Sequence, residues 1–195
     1  MYQGAAQHIR DFAARRKQAQ QPIDIAASSV QLLMQAGFNC DTVTGAGTGT
    51  YEFEGRSGVY TELQCGSYAF MDADYQRVLD KSGAPLSEFE NALFILTSVM
   101  SNVRPGKAVC DAGLKVQSVD SGLPVIAERD DIEYMSCSDE HGIISDPSNV
   151  LQINEKLKLI PGHCDPTCNL HDWYVGVRNG RVEQLWPVTA RGKCF

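Results

Sequence analysis

Asp41-Thr42-Val43-Thr44-Gly45-Ala46-Gly47-Thr48-Gly49-Thr50 is the stretch on which the fold class turns. Its β-branched start favours extended backbone. The glycines that follow let the chain turn sharply and bring backbone N–H groups close to a ligand. Upstream, helical spacing predicts one helix from His8 to about Ala19 and a second from about Ile23 to Ala36. Val30, Leu33 and Met34 form the apolar face of the second helix, and Gly37 is placed to cap it. Downstream, Tyr60-Thr61-Glu62-Leu63-Gln64 reads as another strand and ends on Cys65-Gly66-Ser67, a second glycine turn. Helix, strand and glycine turn in succession are the βα pattern of a parallel sheet.

The pattern changes after about Asp74. Asn91 to Ser101 reads as a long buried strand, Arg104-Pro105-Gly106-Lys107 as a turn, and Lys107 to Asp111 as its returning partner. Leu157 to Ile160, Trp173 to Arg178 and Arg181 to Trp186 read as further strands. Asn179-Gly180 between the last two is a strong hairpin signal. The expected organisation is therefore α/β plus all-β, with residues 1–75 as the α/β part and 76–195 as a β domain. Two or three βα units cannot close an eight-stranded barrel, which takes about 250 residues. Residues 1–75 are thus expected to be the C-terminal part of a (β/α)8 barrel whose front lies elsewhere, with open strand edges that call for a partner.

A net charge of −7 argues against nucleic acid or an anionic membrane as partner, since both would repel this surface. The one cationic run, Arg15-Arg16-Lys17, reads as a solvated helix face. No run of 18 apolar residues and no signal-peptide pattern occurs. The seven cysteines are odd in number and scattered, which suits free thiols in a reducing cytoplasm better than a disulfide framework.

Pro161-Gly162-His163-Cys164-Asp165-Pro166-Thr167-Cys168 carries the clearest chemistry. In an extended backbone His163 and Asp165 point one way and Cys164 the other. An imidazole and a carboxylate can hold one divalent ion, and only two protein ligands leave positions open for substrate. The same stretch also admits a closed zinc site of Cys164, Cys168 and His171, or a polar loop without a ligand. The loop Gly45 to Thr50 can offer N–H groups and the Thr48 and Thr50 hydroxyls to a phosphate, although it matches neither a Walker loop nor a full Gly-x-Gly-x-x-Gly fingerprint. A glycine turn one unit later, at Gly66, adds to that reading, because barrel phosphate sites combine the loops of neighbouring strands. Asp139-Glu140-His141-Gly142 reads as an exposed turn, and Lys115 and Lys158 as solvated lysines.

Thr44 to Thr50, Thr61 to Tyr68, Asp111-Ala112-Gly113-Leu114-Lys115, Asp139-Glu140-His141-Gly142 and Pro161 to Thr167, in that order, resemble the motifs of the D-threonine aldolases. These are relatives of eukaryotic D-serine dehydratase in the alanine-racemase-like fold. The resemblance covers essentially the whole chain. It implies a barrel that binds pyridoxal 5'-phosphate, followed by a β domain. The family's Schiff-base lysine lies early in that barrel and has no counterpart here, so no catalytic residue is assigned. By resemblance Thr48, Gly66 and Ser67 contact the cofactor phosphate, Gln64 faces the pyridine nitrogen, and Gln7 is a further cofactor-side position. His163 and Asp165 resemble the two metal ligands. The dehydratase branch carries cysteine at the second ligand position; Asp165, a harder oxygen ligand, favours Mn²⁺, with Zn²⁺ or Mg²⁺ as alternatives, and favours aldol chemistry.

The implied reaction is metal-dependent cleavage of D-threonine and related small D-β-hydroxy-α-amino acids to glycine and an aldehyde, in an enzyme that pairs as a homodimer. Dehydration to a keto acid is the neighbouring expectation. A catalytically inert binding or assembly module is the expectation from outside enzymology.

Overall fold

The computed structural model describes residues 2–193. Its contacts form two compact units that divide between Glu90 and Asn91. This lies beyond the expected boundary near residue 75. The reason is that residues 71–90 pack on the first unit: Met71, Tyr75 and Val78 are buried with Leu86 and Phe89 against them, and Leu79 N–H donates to Arg10 O.

The first unit opens with helix α1, Phe12–Gln35, in which Asp11 caps the start by accepting from Ala14 N–H at 2.7 Å. The sequence reading broke this helix in two, but Pro22 lies inside it and is buried, with Ala19, Ile23 and Ala26, on one face. An interior proline removes one ladder hydrogen bond and crowds the carbonyl four residues back, but burial of that face holds the two halves in line. Gly37 has φ +84° and ends the helix as expected, with Phe38 N–H donating to Leu33 O at 3.0 Å. The apolar face formed by Val30, Leu33 and Met34 is not buried at its end: Leu33 and Met34 are exposed.

Arg15 is also not the solvated cation expected. It is buried beside the edge-to-face pair of Phe12 and Phe53, and its guanidinium donates to Ile9 O, Arg10 O and Leu79 O at 2.8–3.0 Å. Arg16 and Lys17 are exposed. Strand β1 (Thr44–Gly45), helix α2 (Tyr51–Gly55) and strand β2 (Glu62–Leu63) follow. The two strands are much shorter than expected, but they pair in parallel, Thr44 with Glu62 and Gly45 with Leu63. Helix α3 (Ala73–Gln76) completes the unit.

The second unit is built on antiparallel strands: β3 (Ile95–Arg104), β4 (Gly106–Cys110), β5 (Val125–Ile126), β6 (Glu133–Cys137), β7 (Gly142–Asp146) and β8 (Lys156–Ile160). Their spatial order is β5-β8-β3-β4-β7-β6. The two edge strands β5 and β6 approach each other, so the sheet curls nearly into a barrel. Its inner face is the core, with Ile95, Val99, Ala108, Cys110, Tyr134, Ile144, Leu157 and Leu159. Accordingly β3 is buried on one face only. Ile95, Thr97 and Val99 point inward, while Leu96 and Met100 are exposed; this corrects the expectation of a strand buried throughout.

Helix α4 (Cys164–Cys168) follows β8 at once. Strands β9 (Trp173–Arg178) and β10 (Arg181–Pro187) then form a separate hairpin. Its turn has Asn179 at φ +50° and Gly180 at φ +71°, the geometry that the Asn-Gly pair favours. Among the described residues, no helix is long and apolar enough to cross a membrane. The six described cysteines are free thiols; Cys194 lies outside the described residues.

Candidate functional site

In the first unit the two glycine turns are brought together. Thr48 is buried, and its Oγ1 accepts from Tyr68 N–H at 3.0 Å, linking the loop after β1 to the turn after β2. That turn is a short 3₁₀ segment, Ser67–Ala69, begun by Gly66. The first N–H groups of such a segment have no partner within it. A Cβ placed on Gly66 would meet nothing within 4 Å, so the space in front of this turn is open. Thr48, Gly66 and Ser67 thus share one cup, and their hydroxyls and N–H groups are of the kind that donate to a phosphate. Gln64 lies beside it at the end of β2; its N–H donates to Gly45 O at 2.7 Å, and its side chain is exposed.

Gln7 is buried, and its amide is spent on the loop itself. Its Oε1 accepts from Gly49 N–H at 3.0 Å, and its Nε2 donates to Thr50 Oγ1 at 2.8 Å and Gln3 O at 3.3 Å. It shapes the cup from behind. The approach is close enough that a Cβ on Gly49 would stand 2.0 Å from Gln7 O.

Thr50 passes the chain of bonds to Glu54, donating to its Oε1 at 2.9 Å. Burial pushes the Glu54 carboxyl above its ordinary range, and the Thr50 hydroxyl offsets this only in part. Because the folded protein holds that proton more tightly than the unfolded chain, stability falls as pH rises from the ordinary glutamate value near 4.3 to the raised value. Glu54→Gln, which stays neutral, is expected to match the wild type below this window and to exceed it above. Urea unfolding as a function of pH measures the difference, and parallel curves for the two proteins would refute it.

In the second unit β8 delivers its last residues straight into the candidate metal stretch. His163 is the N-cap of α4 and Asp165 is in its first turn. Their facing atoms, His163 Nε2 and Asp165 Oδ2, are 3.9 Å apart. That is too long for a hydrogen bond, but it is within the roughly 4 Å that two ligand bonds of about 2.0–2.2 Å can span. The Asp165 side chain is 70% exposed, so the pair opens outward. The pair therefore fits a single divalent ion with open positions. Among the described residues no group of three or more His, Cys, Asp or Glu side chains converges on a metal position.

The closed zinc alternative is accordingly absent. Cys164 is buried with Sγ 3.2 Å from Asp165 Oδ1, Cys168 is hydrogen-bonded to Tyr174, and His171 Nε2 lies 2.7 Å from Val116 O. Burial raises the Cys168 thiol above its usual range.

Sequence reading missed the partners behind His163. Its Nδ1 is 2.8 Å from Asp120 Oδ2 and 3.3 Å from Ser121 Oγ. Ser118 Oγ donates to Asp120 Oδ1 at 2.6 Å. This bond, and the His163 ring after it, hold the Asp120 carboxyl below its usual range. An ionised carboxylate only accepts, so Nδ1 carries a proton and Nε2 is the ring atom left facing Asp165. Thr167 Oγ1 ties the two segments again, accepting from Ser118 N–H at 3.1 Å and donating to His163 O at 2.7 Å. Asp120-Ser121-Gly122 has only the signature of a turn, and no local pattern reveals a contact 43 residues away. The remaining motifs are scaffold or surface: Lys115 pairs with Glu140 and Lys158 with Glu128, all largely exposed.

Comparison with known proteins agrees with this architecture. Residues 92–177 match the family described as "Putative serine dehydratase domain". A 3-hydroxy-D-aspartate aldolase of Paracoccus denitrificans (strain Pd 1222) is 59% identical over 196 residues, covering 100% of this chain and 51% of that protein. The crystal structure of D-threonine aldolase from Filomicrobium marinum superposes with a TM-score of 0.93 at 46% identity, covering 100% of this chain and 53% of that one. An alanine-racemase-like protein from Idiomarina loihiensis shares the fold, with a TM-score of 0.71 at 22% identity over 89% of this chain and 50% of that one. Over its whole length the chain is therefore similar to D-threonine aldolase and 3-hydroxy-D-aspartate aldolase and shares the alanine-racemase-like fold, and it spans about half the length of the curated relatives it matches.

Proposed function

We propose that this chain supplies the phosphate cup and the ion-binding pair of an enzyme that cleaves D-β-hydroxy-α-amino acids to glycine and an aldehyde. The observation that carries the reading is the His163–Asp165 pair, 3.9 Å apart and open to solvent. Its carboxylate is the exposed group, while Cys164, the thiol beside it, is buried. This supports a hard divalent ion such as Mn²⁺ over a thiolate-bound zinc.

When bound, pyridoxal phosphate supplies an electron sink for the carbanion that bond cleavage leaves, and a divalent ion lowers the pKa of an oxygen beside it. The chain's own residues do the following. Thr48, Gly66 and Ser67 would hold the phosphate of the cofactor. Gln64 would serve its ring-nitrogen side, where a neutral amide cannot supply a proton. His163 Nε2 and Asp165 would hold the ion at an edge open to a substrate hydroxyl. The Schiff-base lysine is provided by the part of the enzyme that this chain does not span, so the chain alone is inactive. D-threonine and D-3-hydroxyaspartate are the substrates that the named relatives support.

The test is to incubate the chain, alone and as part of the longest open reading frame containing it, with pyridoxal phosphate, Mn²⁺ and each substrate. Glycine plus aldehyde, only from the longer protein and only with Mn²⁺, is expected. A keto acid and ammonia would make the protein a dehydratase, as the name of the matched domain would suggest. No product from either protein would sink the proposal.

A further inference from the structure

We propose that Asp120 is the positioning residue of the ion pair: it fixes the tautomer and the orientation of His163 so that Nε2 faces Asp165. The inference rests on the ion-binding reading above and extends it to a residue that touches neither ion nor substrate. Three features of the fold carry it.

First, a His ring held only by its Cβ can turn about two side-chain torsions and exchange its two tautomers. A carboxylate on Nδ1 removes both freedoms and makes Nε2 the more basic ligand atom. Asp120 Oδ2 sits at 2.8 Å from Nδ1, and Asp165 lies on the opposite side of the ring, near Nε2. The ring thus stands between two carboxylates with different tasks, one behind and one in front.

Second, Asp120 is itself fixed. Its other oxygen accepts from Ser118 Oγ at 2.6 Å and Ser121 Oγ approaches Nδ1 at 3.3 Å, so the carboxylate cannot swing away without breaking a local network. Third, the loop carrying Asp120 is bound to the His163 turn independently of the side chain in question. Thr167 Oγ1 bridges Ser118 N–H and His163 O, and Gly162 lies flat against Gly122, leaving no room for a Cβ between them. Loss of the Asp120 carboxylate should therefore leave the loop in place and disturb only the ring. The Asp120 side chain is 52% exposed, so its removal opens no core cavity.

The test uses the full chain with Mn²⁺ as probe. Mn²⁺ affinity is read from the electron paramagnetic resonance of the free ion, the His163 tautomer from long-range ¹H–¹⁵N NMR, and fold integrity from thermal melting. Asp120→Ala is expected to bind Mn²⁺ about 10- to 100-fold more weakly, the usual effect of losing such an outer partner. It should melt with the wild type and show a mixed His163 tautomer. Asp120→Asn, whose amide oxygen can still accept from Nδ1, is expected to fall between the two. Affinity within twofold of wild type in Asp120→Ala, or an unchanged tautomer there, overturns the proposal. If Asp120→Ala fails to fold, Asp120→Asn decides alone, and wild-type affinity in it overturns the proposal. His163→Ala is the control for the underlying reading. If the wild type shows no saturable Mn²⁺ binding, or His163→Ala binds as tightly as wild type, the ion site itself is refuted and Asp120 with it. Binding lost in His163→Ala but kept in Asp120→Ala refutes only the role of Asp120.

Discussion

Gly162→Ala is expected to lower the melting midpoint of the chain by roughly 10 °C or more and to loosen its grip on Mn²⁺ at the same time. A Cβ on Gly162 would stand 1.9 Å from Gly122 O and 2.8 Å from Gly122 C. Both are backbone atoms, so no side-chain rotation relieves the clash, and the two segments must separate. Overpacking against a yielding side chain costs about 1–3 kcal/mol; against backbone the upper end or beyond applies. The segments that would part are the two that hold Asp120 and His163 in register, so stability and ion affinity fall together. Gly66→Ala is the matched control. Its Cβ meets nothing within 4 Å and its φ of −115° suits any residue, so near-wild-type melting is expected. Equal melting of Gly162→Ala and wild type, measured by calorimetry, would mean that the two loops part without cost.

The second large effect is expected at Tyr134. It is buried on β6 at the centre of the second unit's core. Its hydroxyl donates to Ala112 O at 2.6 Å and accepts from Gln117 Nε2 at 3.0 Å. Burial raises its phenol well above the ordinary value, so it stays a neutral donor. Tyr134→Ala deletes a buried aromatic ring and should cost about 3–5 kcal/mol. Tyr134→Phe keeps the ring and removes only the hydroxyl. Among the described residues Gln117 Oε1 already has no hydrogen-bond partner, so Phe would strip its amide of the Tyr134 contact as well. The expected cost is about 1–3 kcal/mol. Gln117 precedes Ser118, so the same variant tests whether core packing reaches the loop that carries Asp120. Urea unfolding of both variants gives the values. A Phe variant as stable as wild type would mean that water replaces the hydroxyl freely.

Much of this protein was legible in its residues. The Asn179-Gly180 hairpin, the βα pattern around Thr44 and Glu62, and the change to antiparallel strands after the first unit all follow from local rules. A turn residue, a β-branched run or a glycine acts through its own backbone preferences, which the sequence states directly. The spacing of His163 and Asp165 reads from the sequence as extended backbone, but the chain there is the helix α4, with His163 as its N-cap and Asp165 in its first turn, so the 3.9 Å between them is set by the cap geometry and not by strand alternation. Local rules erred where a neighbour from afar decides. Pro22 does not break α1, because one helix face is buried along both halves. Arg15 is not solvated, because the carbonyls of Ile9, Arg10 and Leu79 close around it. Val99 and Met100 are adjacent and both apolar, but only the curl of the sheet decides which of them faces the core. The pairing of Asp120 with His163 is of this second kind. What places one carboxylate behind an imidazole and another before it is the return of β8 beside β3 and the clamp of Gly162 on Gly122. Contacts that span 40 residues are made by packing, and packing is a property of the folded chain as a whole.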